Sequence, residues 1–234
     1  MEKDRSTVKY YVYSIETIGM TIVMLVIVCL TLLPIMFLRR DIIINAGLNP
    51  FFNIALILLF ILHEIVHGIS YRMSKGVSNS DITFGAKLEK VILFCVCKTP
   101  ISKKDIIRSL LAPLFVLSFV PLIINFIFNL NNDLLITLAV ANMIGAAGDL
   151  LMTRFILTMP EDTRFVEDSR NRFVLITSKD ISKQKALGLK LDTIEENFDN
   201  IANTDSRKII ISKASYVIFG AVCLYTILSI FQIV

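Results

Sequence analysis

Long apolar segments constrain this chain more than any other feature. They are largely uncharged and about 20 residues long, which is the length that an α-helix needs to cross a bilayer's hydrocarbon. We place them at residues 18–38, 51–73, 106–130, 134–159 and 214–234. Hydrophobic residues make up 55% of the chain, above the roughly 45–50% of soluble domains. The sequence therefore predicts an all-α polytopic membrane protein of five transmembrane helices, with residues 1–234 as one integral membrane domain.

Loop charge predicts the orientation of these helices. Lys and Arg are frequent in the two longest loops, 74–105 and 160–213, and positively charged loops remain in the cytoplasm. Five spans then place the N-terminus in the cytoplasm and the C-terminus outside. Arg39 and Arg40 fall on the outer side as a mild exception. No basic stretch is interleaved with aromatic residues, so the lipid bilayer rather than nucleic acid is the expected partner.

Both cytoplasmic loops contain strand patterns. Residues 82–88 alternate apolar with polar or small side chains, and a short apolar run follows at 91–97. This pattern predicts a β-hairpin. In the second loop, residues 172–177 predict a strand, and 179–202 predict one or two amphipathic helices. We therefore expect a small cytoplasmic hairpin and a cytoplasmic α/β segment beside the membrane helices.

The sequence HEIVHG lies inside the second apolar segment. His63 and His67 are the only histidines of the chain, and residues four apart share one face of a helix. In the HExxH pattern two such histidines bind zinc, and the glutamate, here Glu64, is the general base towards the metal-bound water. Two buried, hydrogen-bonded histidines without a metal are the alternative. Ionisable groups are costly inside a span, so the pattern favours zinc.

A zinc centre needs a third protein ligand, and no third histidine exists. The ligand must be a carboxylate or a cysteine elsewhere in the chain. Asp149 is the best candidate because it lies inside the fourth predicted span, next to Gly148. Both spans are predicted to run from outside to inside, and both sites then lie at similar depth. The alternatives for Asp149 are a pair with Arg154 or a hydrogen bond to backbone.

Three further features leave two interpretations each. Asn142 lies about two turns before Asp149, where it could hold a substrate backbone or make a helix–helix hydrogen bond. The hairpin could offer a strand edge to an extended substrate, or it could be a structural flap over the site. Cys95 and Cys97 share one face of a predicted strand; packing or a free thiol is favoured there over metal binding.

Several of these motifs together resemble a known family. HEIVHG on one span, Gly148-Asp149 on another and the stretch ITFG, CKTPISKKD and LLAP between Ile82 and Pro113 are similar to bacterial membrane zincins. That family is similar in plan to site-2-type intramembrane proteases. The resemblance implies a zinc cofactor with His63, His67 and Asp149 as ligands and Glu64 as catalytic acid and base. It also implies a bacterial cell membrane.

The function predicted from these features is a membrane-embedded zinc metalloprotease. It would hydrolyse peptide bonds of a membrane protein or peptide, within the membrane or at its cytosolic edge. One alternative is a non-catalytic membrane partner or immunity-type protein that retains the metal site, although such a protein should have lost Glu64. An ion transporter ranks last, because transporters usually show repeated halves and intramembrane charges on several spans.

Overall fold

Helices and strands both build the molecule. The computed structural model describes residues 8–87, 92–168, 172–184 and 188–196. The helices are α1 (Thr17–Leu48), α2 (Phe52–Arg72), α3 (Lys103–Leu114), α4 (Val120–Ile127), α5 (Asp133–Gly145) and α6 (Ala147–Leu157). The strands are β1 (Lys9–Ile15), β2 (Ile82–Lys87), β3 (Ile92–Cys97), β4 (Ile101–Ser102), β5 (Arg164–Asp168), β6 (Arg172–Thr177) and β7 (Leu189–Glu195). A 3-10 turn, Asn79–Asp81, precedes β2, and a π-helical turn, Phe115–Phe119, joins α3 to α4.

This mixed architecture shows that the prediction of an all-α protein with five spans was wrong. Within the described ranges, two helices are long and apolar enough to cross a membrane, α2 and the continuous helix Lys103–Ile127. A third is present if α5 and α6, bent by 46° at their junction, count as one broken span. Only a shorter apolar stretch, Thr21–Thr31, is found in α1. The predicted span 214–234 lies outside the described residues.

The helix Lys103–Ile127 contains two prolines, Pro113 and Pro121. Ser102 caps its start, because the Ser102 hydroxyl oxygen accepts a hydrogen bond from the Asp105 backbone N–H at 3.2 Å. Proline has no N–H, so Pro113 leaves the carbonyl of Ser109 without its usual intrahelical donor. Directly after Pro113 the helix opens into the π-helical turn and then continues as α4.

A five-stranded antiparallel sheet has the order β4-β5-β6-β1-β7. The N-terminal strand lies between β6 and β7, with Lys9 opposite Thr177 and Tyr13 opposite Leu191. The strand predicted at 172–177 is confirmed as β6. The helices predicted within 179–202 were wrong over Leu189–Glu195, which forms β7 instead. Pairing with β1 decides this conformation, and a local pattern does not contain that information.

One core joins the sheet to the ends of the helices. Tyr13 on β1 contacts Phe155 on α6 edge to face and stacks on Phe173 of β6, with ring centroids 4.9 and 5.6 Å apart. Burial raises the pKa of Tyr13 to about 12, and its hydroxyl donates to the carbonyl of Ile181 at 3.4 Å. Because α6 also carries Asp149, this aromatic contact links the sheet to the helix of the candidate site.

The predicted hairpin is confirmed in the described residues as β2 and β3, paired antiparallel with Phe84 opposite Cys95. It lies directly on α2. A side chain at Gly68 would overlap the ring of Phe84 and come within 3.3 Å of the Cys95 sulfur. Glycine at position 68 therefore allows the hairpin to approach the HEIVHG segment closely.

Candidate metal centre

Helix α2 presents polar groups inwards and apolar groups outwards. His63 and His67 are only 8% and 6% exposed, and they lie on the buried face together with Leu59, Ser70 and Tyr71. The opposite face carries exposed apolar side chains at helical spacing. They are Ile54, Ile57, Leu58, Ile61, Ile65 and Ile69. The two imidazoles are thus held in the interior by a helix whose outer surface is apolar.

The three predicted ligands meet in the structure. The Nε2 atoms of His63 and His67 lie 3.2 Å apart, and the Oδ2 atom of Asp149 lies 3.2 Å from the first and 3.4 Å from the second. Asp149 occupies the first turn of α6, directly after the bend at Ala146. The positive end of the helix dipole favours a carboxylate at that position.

The Nδ1 atoms identify the tautomer of each histidine. His67 Nδ1 lies 2.8 Å from the carbonyl oxygen of Ser109, which can only accept, so this nitrogen carries the hydrogen. His63 Nδ1 lies 2.8 Å from Oδ1 of Asn142. The Asn142 amino group donates to the carbonyl of Pro113 at 3.0 Å and to the hydroxyl of Ser118 at 2.8 Å.

This arrangement fixes the orientation of the Asn142 amide. The Pro113 carbonyl only accepts hydrogen bonds, so the amino group must face it and Oδ1 must face His63. His63 therefore also donates through Nδ1. In the neutral form, both rings keep a lone pair on Nε2, and these two lone pairs point towards each other and towards a carboxylate.

Such a donor set fits a bound zinc ion. Lone pairs that face one another repel unless a cation or a proton lies between them. Ligand atoms about 2.0–2.1 Å from a tetrahedral zinc lie roughly 3.3–3.4 Å from each other. The observed separations of 3.2 to 3.4 Å agree with that spacing. All three donor atoms lie within 4.8 Å of one another.

Glu64 lies beside the ligands but outside the ligand set. Its partly buried carboxylate accepts a hydrogen bond from the backbone N–H of Cys95 on β3 and lies close to His63, His67 and Asp149. The hairpin therefore holds the predicted general base next to the two imidazoles. A carboxylate in this position can exchange a proton with a molecule bound at the centre.

The remaining candidates have structural contacts. Cys95 and Cys97 are buried, and neither belongs to the metal-capable group found in the described part of the chain. Asn142 is 2% exposed, and its amide bonds to protein groups on two other helical segments. These contacts favour packing for the cysteines and the helix–helix hydrogen bond for Asn142.

Sequence reasoning missed the second partners of the histidines. Ser109 and Ser118 are fully buried, yet nothing in their sequence context marks them. Pro113 was the available signal, because a proline inside a helix always frees the carbonyl four residues earlier. That carbonyl belongs to Ser109 and accepts from His67.

Comparison with known proteins gives one match. The model of a family described as "Putative zincin peptidase" matches residues 56–164. No curated protein and no solved structure matches the chain. The matched range, somewhat under half of the sequence, contains His63, Glu64, His67 and Asp149. Over this range the chain is similar to zincins, and this similarity together with the ligand geometry supports a zincin-type metallopeptidase.

Proposed function

We propose that this protein is a membrane-embedded zinc metallopeptidase of site-2-protease-like plan, which hydrolyses peptide bonds within the membrane or at its cytosolic edge. One observation carries the proposal: two Nε2 lone pairs and the Asp149 carboxylate converge at 3.2–3.4 Å inside a set of apolar helices. His63, His67 and Asp149 hold the zinc ion. The family match over the same residues supports the assignment.

The chemistry divides between the ion and Glu64. When bound, zinc supplies a Lewis acid that polarises a peptide carbonyl and makes water more acidic. A Glu64 carboxylate oxygen takes the proton of the attacking water and later gives it to the leaving amine. The hydrogen bond from the Cys95 N–H keeps that carboxylate beside the two imidazoles during both transfers.

The position of the hairpin supports a role for β3 in binding the substrate. Within the described residues, β3 pairs only with β2. Because the Cys95 N–H points to Glu64, it points away from β2, and the outer edge of β3 therefore faces the site. An extended peptide placed along this edge would bring its backbone next to Glu64. Helical substrates must unwind before cleavage, so such an edge suits a membrane peptidase.

The exposed apolar side chains of the helices support the proposed membrane location. Beyond the outer face of α2, the end of the helix Lys103–Ile127 exposes Ile123, Phe126 and Ile127, with Phe126 82% exposed. Apolar side chains presented at this density are stable in lipid and unfavourable in water. Moreover, β1, β4 and β5–β7 form one sheet, which supports placing the N-terminal strand and the described strands β4–β7 on one side of the bilayer.

Metal analysis of the purified full-length protein in detergent tests the proposal. Wild type should bind one zinc per chain, and His67→Ala and Asp149→Ala should lose it. Asp192→Asn, on the exposed surface of β7, is the matched control and should retain the metal. A wild-type protein that binds no zinc after supplementation would refute the metal centre.

Activity needs a separate test, because a zinc site alone does not make a peptidase. Glu64→Gln should keep zinc and abolish cleavage. Membrane fractions from cells that express wild type or Glu64→Gln can be compared for new peptide termini by mass spectrometry. If both samples give the same cleavage products, Glu64 is not the general base.

A further inference from the structure

Pro113 lies outside the ligand set, yet it contacts the partners of both histidines. On the basis of the proposed zinc site, we propose that Pro113 and Asn142 are positioning residues that fix both ligand imidazoles in the Nδ1–H form. Both Nε2 atoms are then presented to the metal. Because Pro113 has no N–H, the Ser109 carbonyl can accept from His67. The carbonyl of Pro113 itself orients Asn142, which contacts His63.

The missing N–H acts on His67. In a regular helix, the N–H of residue 113 would donate to the carbonyl of Ser109. Proline removes this donor, and Ser109 is fully buried, so water does not replace it. An unpaired buried carbonyl is costly. His67 Nδ1, 2.8 Å away, supplies the hydrogen. The interruption of the helix thus creates an acceptor for a ligand side chain.

The Pro113 carbonyl acts on His63 through Asn142. Both amino hydrogens of Asn142 have acceptors on the segment that begins at Pro113, namely the Pro113 carbonyl and Ser118 Oγ in the π-helical turn. A rotated amide would place two oxygens against each other. The amide oxygen is therefore held towards His63 Nδ1, 2.8 Å away.

This inference makes an unusual prediction about stability and zinc affinity. Replacing a proline inside a helix by alanine normally stabilises the helix, because proline is roughly 3 kcal/mol worse than alanine there. In Pro113→Ala, however, the new N–H competes with His67 for the Ser109 carbonyl. Zinc binding should therefore weaken while the helix is stabilised. A purely structural proline would change stability and leave zinc affinity unaltered.

The experiment compares three variants of the full-length protein by chelator competition for zinc and by the absorption spectrum of bound cobalt(II). Groups that hold metal-ligating histidines contribute about 10–100-fold to affinity. We expect a loss of that size for Asn142→Leu and a loss nearer the lower limit for Pro113→Ala, each with an altered cobalt spectrum. Pro121→Ala is the matched control in the same helix. Its affinity should stay within about twofold of wild type, because none of the hydrogen bonds described above for His63, His67 and Asp149 involves Pro121.

The outcomes separate this inference from the proposed function. If wild type binds zinc and Pro113→Ala binds it equally well with the same cobalt spectrum, the positioning role is wrong and the zinc site stands. If wild type binds no zinc, both are wrong. Should Asn142→Leu fail to fold, Pro113→Ala decides alone, because alanine is compatible with the helix.

Discussion

The helices and the five-stranded sheet distribute polarity in opposite ways. On α2 the exposed positions before Arg72 are apolar, with Ile57 57% and Ile69 59% exposed, while the buried face holds His63 and His67. In the sheet most buried positions are aromatic or aliphatic, as at Tyr13, and exposed positions such as Lys190 and Asp192 are charged. The polarity of buried and exposed side chains in α2 is thus the reverse of that in the sheet.

The difference is what the proposed membrane location would require of the two regions. Charged side chains are well solvated at a surface that faces water, as in the sheet. In lipid, polar groups are stable only in the protein interior, where they form hydrogen bonds with one another. The two regions meet near the site. Tyr71, one turn beyond His67 on the same face of α2, belongs to the core shared with the sheet. The candidate metal centre therefore lies in the apolar region, close to its boundary with the polar one.

The largest expected effect is the loss of the interior carboxylate. Asp149→Ala should reduce zinc affinity by more than the roughly 100-fold that outer partners contribute, because it removes a ligand itself. Chelator competition measures this change. Asp192→Ala removes a carboxylate from the sheet surface and should leave zinc affinity unaltered. Equal affinities for the two variants would exclude Asp149 from the metal centre.

The second-largest effect is expected from removing an aromatic side chain that packs between the sheet and α6. Phe155 is 2% exposed and contacts both Tyr13 and Phe173. Phe155→Ala should lower the free energy of unfolding by about 3–5 kcal/mol, measured by denaturant titration in detergent. Phe126→Ala, at an 82% exposed position, should cost far less. Similar losses for both would mean that the sheet does not share a core with α6.

A charge on the outer face of α2 tests the contact with lipid. Ile61→Lys places an ammonium group near the middle of this helix, at a cost of about 2.5–3.5 kcal/mol in a bilayer. Thr193→Lys on exposed β7 should change stability by less than about 0.5 kcal/mol. Resistance to alkaline extraction and folded yield compare the two variants. An Ile61→Lys protein that matches Thr193→Lys in both would argue against a lipid-facing α2.

The smallest effect is expected for Asp162, whose contribution to stability should depend on pH. Asp162 accepts hydrogen bonds from the Thr177 hydroxyl at 2.9 Å and from the Ser178 N–H and hydroxyl at 3.2 and 2.9 Å. Burial alone would raise the pKa of Asp162, but the bonds from Ser178 and Thr177 outweigh it and hold the pKa below its usual value. Its stabilisation is therefore present above the unfolded pKa of about 3.9 and is lost as the pH falls through the lower folded value.

Asp162→Asn should consequently destabilise the protein at pH 7 by less than about 1 kcal/mol, because the carboxylate is exposed and screened. The difference in melting temperature between variant and wild type should shrink towards pH 3. A difference that stays constant with pH would show that the carboxylate charge plays no part.

The sequence predicts those parts of the fold that local patterns determine. Apolar length locates α2 and the helix that starts at Lys103. Alternation locates β2, a short apolar run locates β3, and the local pattern of residues 172–177 locates β6. The sheet was not predictable in this way, because β1 pairs with residues 168 positions away, as Lys9 does with Thr177. The segment 189–195 fits either a helix or a strand until that partner is known.

The candidate site was predictable to the extent that it depends on side-chain types. His63 and His67 follow from HExxH spacing, and Asp149 follows from the cost of a lone carboxylate in an apolar segment. The partners of the Nδ1 atoms did not follow, because a backbone carbonyl such as that of Ser109 has no sequence signature. Only Pro113 marked the place where such an acceptor becomes free.

The position of β1 between β6 and β7 has a consequence for how the chain folds. The ribosome makes β1 first, but its two neighbours, β6 and β7, are made after the last described helix, α6. Until Glu195 has been synthesised, β1, which lies between β6 and β7, lacks a full set of partners. A chain that stops before Arg172 would therefore contain all three predicted ligands but neither strand that holds Tyr13 against Phe155.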